Sequence, residues 1–103
     1  MIILTKAIKE KLIANHKAQD GTKSFKAVLK LFNPTGIGTW YLSELDPQTN
    51  NAFGLCCLTE EEFGYVNLDE LLSFKGQMGL GIERDRYFKP KTLEECKSLW
   101  KNL

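Results

Sequence analysis

The chain of 103 residues is 43% hydrophobic and 26% charged, as expected of one soluble globular domain with a single core, and its 11% aromatic content excludes intrinsic disorder. Its net charge of +1 hides a basic, acidic, basic succession: residues 1–33 carry seven Lys against two acids, residues 34–73 hold seven acids and no Lys or Arg, and residues 74–103 are basic again. The opening "MIILTKAIKEKL" turns charged too soon for a signal-peptide core or a membrane span, so no membrane association and a cytoplasmic residence are expected.

Residues 5–18 predict a helix capped by Thr5, with Leu4, Ile8 and Leu12 on one face and lysines on the others. His16, near its C-terminal end, reads as a surface residue for want of partners. "FKAVLKLF" (25–32) nearly alternates and predicts a strand; "NPTGIG" turns the chain, and "TWYLSEL" (39–45) predicts a second strand. Strict alternation there puts Trp40, Leu42 and Glu44 on one face and Tyr41, Ser43 and Leu45 on the other. "DPQTNN" makes a hairpin to a third strand, "AFGLCCL" (52–58), while "TEEEFG" reads as an acidic loop before a short extended "YVN". The cysteines, Cys56, Cys57 and Cys96, are odd in number and lack C-x-x-C spacing, so buried thiols are expected rather than disulfides or zinc. Asn67 caps a short helix with Leu68, Leu71 and Leu72 inward; after a glycine-rich loop, "IERDRYF" (82–88) predicts a last strand. Thr92 and Glu95 form a capping box for the final helix, whose apolar stripe is Leu93, Cys96, Leu99 or Trp100, and Leu103. The order predicts an α+β fold: a mainly antiparallel sheet of about four strands packed by N-terminal, short middle and C-terminal helices, in one domain over residues 1–103.

The G-x-G pairs in "GIGTW" and "GLGIE" lead into strands rather than helices, so they read as turns and not as phosphate loops. Glu44, Asp46, Glu83 and Asp85 would suit a hard cation and metal-assisted hydrolysis if two strands brought them together, but Arg84 and Arg86 offer them ion-pair partners, and no metal or cofactor is expected. A nucleic-acid surface would draw on Lys26, Lys30, Arg84, Arg86 and Lys89, with Tyr87 for stacking; the near-zero net charge disfavours it. The acidic centre reads as solvated loops, since mimics of nucleic acid carry far more negative charge.

"TWYLSELDP", "AFGLC", "GYVNLDEL" and "GLGIERDRYFKP" resemble, in order and wording, the uncharacterised bacterial family known as domain of unknown function 2958, over roughly residues 28–90. Two departures stand out: Cys57 where an acid is expected, and a short 59–63 loop. The resemblance implies an accessory role on plasmids, integrative elements or phages, with an anti-defence role plausible and no catalytic mechanism to carry over. Its matching positions are Trp40, Glu44, Asp46, Tyr65, Glu83, Arg84 and Asp85; Arg86 and Tyr87 complete the candidate binding surface. The expectation is therefore a non-enzymatic module that binds a protein partner, such as a host defence nuclease system. A metal-assisted hydrolase or a nucleic-acid accessory protein is the alternative.

Overall fold

The computed structural model describes residues 3–102. Thr5 begins α1 (Lys6–Ala18) by accepting the Ile8 N–H on its hydroxyl, and Leu12 and Asn15 are buried on its inner face. Five strands follow in one antiparallel sheet: β1 (Leu29–Phe32), β2 (Thr39–Leu45), β3 (Asn51–Cys57), β4 (Glu61–Asn67) and β5 (Glu83–Arg84). Their spatial order is β4-β3-β2-β1-β5, so β2 is central and β4 and β5 are the edges. α2 (Leu68–Ser73) leaves the end of β4, and α3 (Leu93–Lys101) closes the chain. The fold is α+β, with five strands where about four were expected.

Period-two alternation sorts the core into two layers. Leu29 and Leu31 of β1 and Trp40 and Leu42 of β2 join Leu12 of α1 and Leu68 and Leu71 of α2 on one face. Tyr41 of β2 and Leu55 and Cys57 of β3 join Leu93 and Cys96 of α3 on the other, with Phe53, Phe88 and Trp100 packed against them. Helices therefore cover both faces of the sheet. No helix among the described residues is long and apolar enough to cross a membrane.

Three expected boundaries change. The strand foreseen at 25–32 is shorter; Ala27 instead forms an isolated bridge with Lys91, and β1 proper begins at Leu29. The acidic "loop" belongs to a seven-residue strand, β4, in unbroken register with β3 from Cys57↔Glu61 to Asn51↔Asn67. Its acid Glu61 is held by Lys101 at 3.0 Å and Lys97 at 3.9 Å from α3, which offsets the charge that made the segment look unfit for a sheet. The expected 82–88 strand keeps two residues: Asp85 N–H still donates to the Lys30 carbonyl at 3.0 Å, and then the chain turns out at Arg86 and Tyr87. In α3 the capping box of Thr92 and Glu95 is present, and Trp100 rather than the exposed Leu99 continues the buried stripe. Leu103 lies outside the described residues.

One irregularity positions a candidate residue. The β2–β3 register shifts between Leu42 and Glu44, so Ser43 is an extra residue, a β-bulge. Glu44 consequently pairs with Phe53 and lies on the α3 face, not with Trp40 and Leu42 as alternation predicted. The bulge is supported from α1: the Asn15 side-chain amide donates to the Ser43 carbonyl at 2.9 Å, which gives both buried groups a partner.

Candidate functional site

The sequence candidates do not meet in one place. Glu83, Arg84, Asp85, Arg86 and Tyr87 line an open cleft of about 580 Å³ at the β5 edge, together with Lys30, Phe32 and Thr39. Asp85 is the residue that builds this corner. Its backbone N–H bonds β1, one side-chain oxygen accepts the Tyr87 N–H at 2.9 Å, and the other faces the Lys30 ammonium at 3.5 Å. Lys30 in turn lies 5.6 Å from the Tyr41 ring centroid. Because the turn follows immediately, Arg86 and Tyr87 both project outward instead of alternating across a strand, and Tyr87 is 92% exposed. Arg84, Arg86 and Glu83 form no ion pair among the described residues; the carboxylate partner expected of the arginines is taken by Lys30. Among the other lysines considered with this edge, Lys26 and Lys89 are exposed.

Glu44 and Asp46 sit elsewhere. Thr39 shares the end of the sheet with Phe32 and Glu83, and Glu44 lies five positions along β2, roughly 16 Å away at 3.3 Å per residue. The Glu44 carboxylate is 5% exposed as a residue and accepts the Gln19 side-chain amide at 2.8 Å. Asp46 begins the β2–β3 turn; the Gln48 backbone N–H on its carboxylate, aided by Thr49 and by His16 at 3.9 Å, holds its pKa below the ordinary value. No group of three His, Cys, Asp or Glu suited to a metal occurs among the described residues. Tyr65 stands on the β4 edge, its ring 5.1 Å from that of Phe53. Trp40 is buried in the α1-side core.

Trp40 nevertheless leads to a surface that the motif did not reveal. Its ring, with Leu71 and Ile82, floors a groove of about 320 Å³ walled by Ile37, Leu58 and Phe74 and bounded by Asn33 and Glu70. Gly38, at φ 135°, makes room for the indole; a Cβ there would overlap the Trp40 ring. Ile37 is 63% exposed and Met78, on the loop that starts at Phe74, 93%; Leu58, Phe74 and Leu80 are also exposed. Met78 holds a left-handed backbone (φ 60°), an uncommon conformation for a side chain of this size, and that loop is closed by the Gly76 N–H donating to the Leu80 carbonyl at 2.7 Å. The acids on this side are Glu70, which lines the groove, Glu60, whose carbonyl accepts the Leu58 N–H, and Glu62, opposite Cys56 on the same sheet face. None of the three forms an ion pair among the described residues. The exposed apolar residues come from three separate turns and loops, so no local periodicity could have announced them.

The cysteines are poor nucleophiles here. Burial pushes the Cys57 thiol up to about 12 and the Cys96 thiol up to about 11, and burial raises Cys56 as well.

In comparison with known proteins, the model of a family described as "Protein of unknown function (DUF2958)" matches residues 3–96. No curated protein matches, and no solved structure matches.

Proposed function

The chain belongs to the DUF2958 family of proteins of unknown function, and since membership brings no activity with it, we propose that the protein is a non-enzymatic binding module whose groove over Trp40 takes an apolar, basic-flanked segment of a partner protein. The observation that carries this reading is that Ile37, Leu58 and Phe74, all exposed, wall one groove of a small domain, with Met78 and Leu80 also exposed on the loop that starts at Phe74. Contiguous apolar surface of this kind costs solubility unless something covers it, and it marks interaction sites. The acids Glu60, Glu62 and Glu70 beside it, with no lysine or arginine between residues 34 and 73, favour lysines or arginines flanking the partner's apolar anchors. Docking onto a host protein in this way suits the accessory, anti-defence role that the family resemblance implies.

The test is comparative capture from a native host. A partner held by the wild type should be lost with Ile37→Asp and with Phe74→Asp, each weakening binding by roughly 2 kcal/mol or more, about thirtyfold. It should be retained by Arg86→Ala at the charged cleft. A partner that survives both groove substitutions and is lost with Arg86→Ala would overturn the reading.

A further inference from the structure

On the opposite face of the sheet, and independent of the groove, the residues around Glu44 form a second pocket. Lys23, Phe25, Glu44, Phe53, Phe63 and the first turn of α3 enclose about 240 Å³. The bulge at Ser43 is what turns Glu44 into it. One carboxylate oxygen, Oε2, is fixed by the Gln19 side-chain N–H at 2.8 Å. Gln19 is itself locked: the same amide donates to the Lys23 carbonyl at 2.8 Å, and its own oxygen accepts the Gly21 and Lys23 N–H groups at 3.0 and 3.1 Å. The other oxygen, Oε1, accepts no hydrogen bond among the described residues, yet it is not sealed from access, since no fully buried polar atom there lacks a partner. Among the described residues Glu44 has no cation within ion-pair distance, although Lys23 also lines the pocket.

Glu44 is 5% exposed as a residue, and a largely buried carboxylate with one oxygen unpartnered and no countercharge among the described residues favours a cation joining it there. Three phenyl rings present negative π faces or apolar walls to such a cation, and a second acid, Glu94, lines the same pocket. We propose that this pocket binds an alkylammonium head group, with Glu44 Oε1 accepting its N–H and Phe25, Phe53 and Phe63 packing around its alkyl carbons. The volume suits one ammonium with a short alkyl stem and is small for a nucleotide. The same chemistry is carried by a free amine or by a lysine side chain of a protein.

Titration of the ¹⁵N-labelled chain with n-butylammonium chloride, against sodium chloride at equal ionic strength and against n-butanol, tests the assignment. Saturable shifts at the Gln19 side-chain amide and at Phe53 and Phe63, seen with the ammonium alone, are expected. Glu44→Gln, which keeps an oxygen for Gln19, should weaken binding by roughly tenfold or more. Phe63→Leu, at a ring that is 47% exposed, should weaken it severalfold without altering the fold. No saturable response, or wild-type affinity in both Phe63→Leu and Glu44→Gln, overturns the proposal. A parallel arm with Nα-acetyl-lysine methylamide separates the sources: tighter binding than butylammonium assigns a protein lysine, and equal binding assigns a free amine. None of these outcomes depends on the groove substitutions, so the two readings stand or fall separately.

Discussion

Two single residues decide what this sheet presents to each side. Gly54 pairs with Leu42 beside the bulge, and a Cβ there would overlap the Tyr41 carbonyl oxygen and crowd the Leu42 Cα. The obstacle is backbone at the centre of the sheet, which cannot rotate aside. Gly54→Ala is therefore expected to destabilise the fold by about 3 kcal/mol, measured as a shift of the urea midpoint at unchanged slope. A shift under roughly 0.5 kcal/mol would show that β2 and β3 separate more easily than the close approach implies. The second residue is Ser43. An inserted residue leaves no trace in a pattern of alternating side chains, because the sequence TWYLSEL reads as regular whichever residue is extra. That is why the face of Glu44 was not legible beforehand, while Trp40 and Leu42, upstream of the shift, were.

At the level of elements, helices were more readable than strands, since their ends carry their own chemistry. Thr5, Asn67 and Thr92 were each foreseen as caps, and each accepts the N–H three residues on. The box at Thr92 matters most because α3 is the helix, among the described residues, that covers the sheet face holding Tyr41 and Leu55. Backbone and side-chain bonds at Thr92 also hold the Glu95 carboxyl below its ordinary pKa. Thr92→Ala should cost about 1 kcal/mol of stability with the groove untouched, read by thermal or urea unfolding. No loss at all would mean the α3 start is fixed by Leu93 packing instead. β4 is masked in the sequence because three consecutive glutamates obscure the Glu61-Phe63-Tyr65 alternation that signals a strand. The compensation comes from Lys97 and Lys101, thirty-six and forty residues later, and a local window cannot contain it. β5 is shorter than its alternation implies for the opposite reason: Asp85 supports both strand pairing through its backbone and a turn through its carboxylate, and the turn takes the residues after it.

For the whole molecule, the basic, acidic, basic succession resolves into particular partners. Of the central acids, Glu44 meets Gln19, Asp46 meets the Gln48 N–H and His16, Glu61 meets Lys97 and Lys101, and Asp69 accepts the Asn50 amide at 2.8 Å. Glu60, Glu62 and Glu70 remain, and they stand beside the apolar groove. The two core layers also predict a pH response. Burial raises the pKa of Tyr41 to about 12 from 10.0, of Cys57 to about 12 from 9.0 and of Cys96 to about 11 from 9.0; Tyr41 and Cys57 lie under α3, and Cys96 is on its buried face. The unfolded chain ionises these groups first, so stability is intact below the unfolded values and declines as pH climbs from about 9 towards 12. Urea midpoints measured from neutral pH upward should fall in that window; a flat profile would mean that side of the core admits water.

The central claim, that the groove over Trp40 is the docking surface, is tested most directly by hydrogen exchange on the complex with a partner captured from a native host. Slowed exchange is expected in the Asn33–Gly38 turn, at Leu58–Glu60 and across Phe74–Leu80, with the Arg86–Tyr87 turn unchanged. Protection confined to Arg86–Tyr87 or to the β4 edge at Phe63–Tyr65, with the groove segments exchanging as in the free protein, would contradict it.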